Sequence, residues 1–217
     1  MLEDKGDSLE GKRCLIVGAG KVARAVAKKL LEYGAVPLTF SDASGHIYEK
    51  DGITEGKLAT ISQIKSERGA LLGRYIISST TADFNHPENI YDIPCDLCFP
   101  CGAMNDIDTA QVKQLADNGC IGVIEGGQGI VTPDARKALK KRGLQYGPHT
   151  MTMTGPAIVH GLGLNASDKA LKEHVGTVYR EVKTTASEFN LRGDLFAGAN
   201  IAGFLRVANV MMMHGAV

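Results

Sequence analysis

The sequence has no tryptophan, only 7 prolines and no excess charge of either sign. Lysine plus arginine (24) balance aspartate plus glutamate (24) over 217 residues. No net field therefore recruits nucleic acid or an anionic membrane surface, and neither is expected as a partner. No uninterrupted apolar run approaches the roughly 20 residues that a helix needs to cross a bilayer, so no membrane span is expected. The N-terminus lacks the apolar core of a signal peptide. Internal repeats and low-complexity linkers are absent as well. Five cysteines are an odd number in a chain long enough to bury one ample core without staples. They point to a reducing compartment. The expected location is intracellular, in the cytoplasm or an organelle matrix (mitochondrion or plastid); an address removed before Met1 would leave no trace here.

What is present is a strong local pattern. Cys14-Leu-Ile-Val-Gly18-Ala-Gly20-Lys-Val-Ala23 is an apolar run feeding a glycine-rich turn. Helical spacing follows at once, with Val22, Val26 and Leu30 on one stripe and Ala23, Ala27 and Leu31 beside it. A second apolar run then closes on an acid, Leu38-Thr-Phe-Ser-Asp42. Strand, tight turn, helix, strand and acid are the order of a dinucleotide-binding βαβ unit. Gly18 permits the turn, Gly20 lets a diphosphate approach the helix N–H groups, and Ala23 allows close helix–strand packing. Asp42, about 20 residues beyond the turn, is placed to accept hydrogen bonds from the adenine ribose. The plainer alternative is an α/β turn that keeps its glycines for packing alone.

Downstream, Thr54-Glu-Gly-Lys-Leu58 opens a helix reaching about Arg68, and residues 78–94 are polar and turn-rich, a surface connection. Residues 93–100 read as a buried strand, and Asp106 or Asp108 caps a helix ending at Asn118-Gly119. Ile121–Glu125 is the next strand. Thr132-Pro133-Asp134 starts a helix that carries Ala135, Ala138 and Leu139 inward and stops at Gly143; Leu144–Tyr146 is a further strand. This alternation predicts a Rossmann-type, doubly wound α/β domain with a mostly parallel sheet over residues 1–165. Residues 167–190 and 199–214 are helical with no strand between them, a C-terminal helical extension over 166–217.

Several stretches carry a family likeness. Gly6–Ala23, Gly34–Gly45, Ile93-Pro-Cys-Asp96 with Phe99-Pro-Cys101, Val123-Ile-Glu-Gly126 and Gly198-Ala-Asn-Ile-Ala-Gly-Phe204 run in family order. Together they make the chain resemble the cofactor domain of hexameric glutamate dehydrogenases. The resemblance implies NAD or NADP on the sheet and hydride transfer to and from the α-carbon of glutamate. It implies pyrophosphate contacts at Gly18, Gly20, Lys21 and Val22, and ribose contacts at Asp42 and Ala43. Gly102, Ala103 and Gln128 would border the dinucleotide. An acid at Asp42 favours NAD, whereas the Phe-Ser-Asp-x-Ser-Gly pattern resembles NADP-using members, so the cofactor is left as NAD or NADP.

The family's N-terminal substrate domain, with its substrate lysines and proton-transferring aspartate, has no counterpart in these residues. Met1-Leu2 resembles the end of a helix well inside the family's polypeptide. A fragment, a mis-started gene and the loss of the catalytic half are the three explanations. Departures from the family pattern favour the third. Met153 stands for an asparagine facing the nicotinamide, and His160 for a serine touching the substrate carboxylate. Methionine makes no strong hydrogen bond, so an amide-built pocket loses its orienting partner. Gly127-Gln128-Gly129 and Gly102-Ala103-Met104 also depart, whereas Lys21 in place of an asparagine adds a cation near the diphosphate.

Other candidate groups have simpler readings. Cys95-x-x-Cys98-x-x-Cys101 has metal-ligand spacing, but in a strand Cys98 faces away from the other two, so no metal is expected. His149 and His160 are read as surface or packing residues rather than a proton-handling pair. Met211-Met-Met213 is the buried side of a last helix, or a contact surface. The expectation is a dinucleotide-binding module with no catalytic residues of its own. It would be inactive alone and would serve a structural or regulatory role among other protein subunits, as a homo- or hetero-oligomer. The alternative is the cofactor half of an active NAD(P)-dependent glutamate dehydrogenase.

Overall fold

The first strand, β1 (Arg13–Val17), is Cys-Leu-Ile-Val after its leading arginine, and those four residues are buried. The chain then turns through Gly18 into α1 (Lys21–Glu32), crosses over, and returns as β2 (Val36–Pro37), parallel to β1. The computed structural model describes residues 1–162 and 167–215. Within them the chain forms two compact units, Met1–Gln145 and Tyr146–Val217. The boundary expected at 165/166 lies outside the described residues.

The first unit is built on a five-stranded sheet of order β2-β1-β6-β7-β8, with β6 (Leu97–Pro100), β7 (Gly122–Ile124) and β8 (Gln145–Gly147). The β2–β1, β1–β6 and β6–β7 pairs are all parallel. Helices α3 (Thr109–Asp117) and α4 (Pro133–Lys141) connect the later strands. Their starts follow from local chemistry. Asp108 and Gln111 form a reciprocal capping box on α3, and Thr132 caps α4 ahead of Pro133. This is the mostly parallel, Rossmann-like sheet with flanking helices that the sequence pattern implies.

Three features differ from the sequence reading. The inward stripe of α1 is Ala23, Ala27 and Leu30, whereas Val22 is 50% exposed. Residues 78–94 are not merely a surface connection. They include β5 (Ala82–Asn85), which joins β3 (Thr39–Asp42) and β4 (Gly45–Glu49) in a separate antiparallel sheet of order β3-β4-β5. The expected strand over 93–100 also shortens to β6, because a 3-10 turn over Pro87–Asp92 runs on into Ile93.

The departure of β3 from the main sheet is handled by hydroxyl groups. Leu38 N–H still donates to the Cys14 carbonyl at 2.9 Å. One step on, Ile16 N–H donates to Thr39 Oγ1 at 3.0 Å, and that hydroxyl donates back to the Ile16 carbonyl at 2.9 Å. Thr39 is fully buried, so these bonds replace ladder bonds that would otherwise be lost in a dry interior.

Next to this sheet lies α2 (Glu55–Ser66), capped by Thr54. Its Lys57 reaches Glu49, which is 0% exposed. The Glu49 carboxylate accepts four hydrogen bonds: Lys57 Nζ at 2.7 Å and Thr81 Oγ1 at 2.6 Å on one oxygen, Tyr75 Oη and Ser79 Oγ at 2.8 Å on the other. Burial raises its pKa, but the four donors outweigh that and hold it below the usual carboxylate range.

The second unit is helical: α5 (His149–Thr152), α6 (Thr154–Leu162), α7 (Asp168–Glu188) and α8 (Leu195–His214). α7 and α8 approach most closely at Gly198, where a Cβ would lie 2.4 Å from the Val182 carbonyl oxygen. Glycine is required there by contact with backbone. α8 is, by length and composition, long and apolar enough to cross a membrane. Asn200, Arg206 and Asn209 interrupt its apolar runs, which is why run length alone does not reveal it. Phe204, Val207 and Met211, at helical spacing, are all exposed on it, as are Met212 and Met213. Met211–Met213 are thus a surface, not a buried side.

Candidate dinucleotide site

The chain leaves β1 to one side for β2 and later enters β6 on the other, so the C-terminal ends of β1 and β6 form the topological switch point of the sheet. Ligands of open α/β sheets bind in that crevice. Gly18 ends β1 with φ +103°, and a Cβ there would stand 2.9 Å from the Cys101 carbonyl oxygen. The turn is therefore both left-handed and in contact with the neighbouring strand. Ser41 fixes it: Gly18 N–H donates to Ser41 Oγ at 2.7 Å, and Ser41 N–H donates to the Gly18 carbonyl at 3.2 Å.

Gly20 has a different job. Its φ is −72°, open to any residue, and a Cβ there would meet nothing within 4 Å. It is the N-cap of α1 and brings no side-chain hydrogen bond. The N–H groups of the first helical turn, at Lys21, Val22 and Ala23, have no acceptor within the helix, and no Gly20 side chain stands over them. Lys21 and Val22 are exposed beside them. Such a turn offers a dianion bare donors at the positive end of a helix dipole.

Asp42 closes β3 at the same end of the unit, and its carboxylate is fully engaged. Oδ1 accepts from Ser44 N–H at 3.0 Å and Ser44 Oγ at 2.6 Å; Oδ2 accepts from Lys65 Nζ and Leu72 N–H, each at 2.8 Å. Burial pushes its pKa up, and the Lys65 and Ser44 bonds more than reverse this, leaving it lowered. The acid expected to meet a ribose is also half of an ion pair that anchors α2. Ala43 lies exposed at the hairpin tip beside it. Lys65, Leu72 and Ser44 were not singled out in the sequence. Lys65 and Leu72 lie 23 and 30 residues from Asp42, and the one visible signal is a lysine in the last turn of a helix.

Gly102 and Ala103 follow β6 and are exposed. A Cβ on Gly102 would come 3.2 Å from Asp106 Oδ2, which accepts from Tyr91 Oη at 2.9 Å. This loop is tied to the one after β7: Asn105 N–H donates to the Gly129 carbonyl at 2.9 Å, and Ile107 N–H to the Ile130 carbonyl at 3.1 Å. Gln128 is exposed in that second loop. Buried Glu125 braces it by accepting from Val131 N–H at 2.8 Å. Gly18, Gly20, Lys21, Val22, Gly102 and Ala103 therefore gather at the ends of β1 and β6, with Asp42 and Ala43 at the end of β3 and Gln128 beyond β7. A separate cavity of about 480 Å³, lined by Leu2, Leu9, Tyr33, Phe99 and Ile124 among others, includes none of these residues.

Met153 and His160 belong to the second unit, where both are exposed; His149 packs on Phe196 with ring centres 6.5 Å apart. All five cysteines are free thiols. Among the described residues, no three His, Cys, Asp or Glu side chains are arranged to hold a metal ion.

Comparison with known proteins agrees with this architecture. The chain is 34% identical to an NADP-specific glutamate dehydrogenase of Chlorella sorokiniana, over all of this chain and 44% of that protein. It is equally 34% identical to an NADP-specific glutamate dehydrogenase of Helicobacter pylori strain J99, over 99% of this chain and 51% of that one. The crystal structure of Plasmodium falciparum glutamate dehydrogenase superposes with a TM-score of 0.94 at 32% identity, covering 100% of this chain and 49% of its own. The chain thus spans about half the length of the relatives it matches. Residues 1–215 match the profile of the Glutamate/Leucine/Phenylalanine/Valine dehydrogenase family, and the chain belongs to that family.

Proposed function

We propose that this chain is a dinucleotide-binding module of the glutamate dehydrogenase type, gripping NAD or NADP by the adenosine diphosphate half. The observation that carries the reading is the first turn of α1 at the switch point, where Gly20 brings no capping side chain and leaves the space beside the turn empty. The diphosphate lies on those donors with Lys21 adding a positive charge, while Gly102 and Ala103 let the rest of the dinucleotide pass close to backbone. Bound there, the cofactor supplies a hydride carrier; the chain's own residues bind and orient it. Lys65 offsets the charge of Asp42, so this corner does not repel a 2′-phosphate as a bare aspartate would. NADP⁺ should therefore bind at least as tightly as NAD⁺.

By itself the chain does no redox chemistry in this reading. Met153 and His160 stand where the family resemblance calls for an asparagine and a serine, so glutamate and nicotinamide lose their orienting hydrogen bonds. The exposed Phe204, Val207 and Met211 stripe of α8 suits burial by other protein subunits, in a structural or regulatory assembly. The second reading is the cofactor half of a working glutamate dehydrogenase, favoured by the doubled length of the relatives and by their names. The mass of the native polypeptide in its source decides between them: a species near 23 kDa supports the module, and one about twice that size the enzyme. For the isolated chain, glutamate-dependent reduction of NAD or NADP should be undetectable, while either nucleotide raises the melting temperature by several degrees at a hundredfold excess over Kd, since such an excess stabilises by about 2.7 kcal/mol. Turnover by this chain alone would overturn the inactive reading.

A further inference from the structure

Two of the five cysteines occupy a place that the dinucleotide site does not use. Leu97 of β6 and Gly122 of β7 are register partners, and the pairing continues backward where Ile121 N–H donates to the Asp96 carbonyl at 2.8 Å. One residue further back along the same two segments stand Cys95 and Cys120, facing each other across parallel neighbours. Adjacent strands lie about 4.8 Å apart, inside the roughly 4.4–6.8 Å that separates Cα atoms in a disulfide. Both are free thiols, and each is 5% exposed.

We propose that Cys95 and Cys120 are a redox-modification site, closing to a reversible intrachain disulfide when a hydroperoxide is the oxidant. The neighbouring Cys95 thiol holds Cys120 below its ordinary range, while Cys120 together with burial pushes the Cys95 thiol up. Cys120 is accordingly the sulfur that attacks. Its thiolate displaces water or an alcohol from the peroxide oxygen and becomes a sulfenic acid. The Cys95 sulfur then attacks Cys120, an S–S bond forms, and the hydroxyl leaves as a second water. Two thiols lose two electrons and two protons; the peroxide O–O bond takes up both. A hydroperoxide is small enough to reach sulfurs this buried, which a bulky disulfide is not.

The bond would tie together the two ends of the segment that holds β6, the Gly102–Ala103 loop and α3. Cross-linking acts mainly on the unfolded chain, so the oxidised protein should melt several degrees higher, and a thiol reductant should reverse the gain. The test treats the folded 217-residue chain with hydrogen peroxide, then alkylates free thiols before digestion and mass analysis. The expected result is the loss of two hydrogens, one peptide joining Cys95 to Cys120, and alkylation of the other three cysteines, Cys14, Cys98 and Cys101. Cys95→Ser and Cys120→Ser should each abolish the bond, and mapping of the wild-type chain stands even if a variant folds poorly. Five alkylated thiols, a sulfinic acid at Cys120 with no disulfide, any other pairing, or a bond formed only in denaturant would each overturn the proposal.

Discussion

Valine in place of Gly18 should destabilise the first unit by about 3 kcal/mol or more and remove nucleotide binding with it. Two independent costs add. A β-branched residue is strained at φ +103°, worth of order 1–3 kcal/mol. Its Cβ would also lie 2.9 Å from the Cys101 carbonyl oxygen, a backbone atom that cannot rotate away, so β1 and β6 must separate. Separation breaks the mutual bonds between Gly18 and Ser41 and moves the first turn of α1 off the switch point. Urea unfolding of the variant measures the loss. An unchanged midpoint would mean that the turn is looser than its contacts imply.

The second large effect concerns Glu49. Glu49→Gln keeps the shape of the side chain but removes the charge that Lys57, Thr81, Ser79 and Tyr75 all donate to. It also turns an amide NH₂ toward part of that cluster, where a hydroxyl can rotate to accept from it but the Lys57 ammonium cannot. Breaking a buried pair in this way costs about 3–5 kcal/mol, and the loss should depend on pH. Glu49's pKa is lowered in the folded state, so the stability it contributes is present above the unfolded value near about 4.3. That contribution drains away as pH falls through the folded value. The gap between wild type and Glu49→Gln should therefore be full at pH 7 and shrink on acidification below about pH 4.5. Asp42, also lowered, titrates in the same range but is common to both proteins and cancels in the difference. A gap that stayed constant into the acid range would show that the charge of Glu49 is not what the cluster holds.

Much of the fold was legible because its signals are local. Thr54, Asp108 with Gln111, and Thr132 with Pro133 mark helix starts through bonds made within three or four residues. Gly18 reveals its left-handed turn by being glycine at the end of an apolar strand. The small antiparallel sheet was not legible. Ala82–Asn85 is polar and mostly exposed, and it is a strand because β4, more than 30 residues earlier, supplies its partners. Nor could the sequence display Thr39 and Ser41 standing in for backbone hydrogen bonds, since a buried hydroxyl looks like any strand threonine or serine until its partner is known.

The site divides along the same line. Gly18, Gly20 and Lys21 sit on one turn and were readable as a unit. The surroundings of Asp42 were not, because Lys65 and Leu72 reach it across the fold. That distant partnership alters the chemistry of the position: the aspartate expected at the ribose also anchors a lysine. Residues on the second unit, Met153 and His160 among them, were judged by likeness alone, with no local pattern of their own to read.

Gly20→Val separates ligand from scaffold. This glycine has an ordinary backbone angle and empty space around it, so the variant should fold with a loss of at most about 1 kcal/mol from a poorer helix cap. Titration calorimetry of NADP⁺ against the wild-type chain and this variant is the most direct measurement of the central claim. Saturable one-to-one binding by the wild type, abolished in folded Gly20→Val, is the predicted result. No binding by the wild type, or equal binding by both, would contradict a diphosphate seated on the first turn of α1.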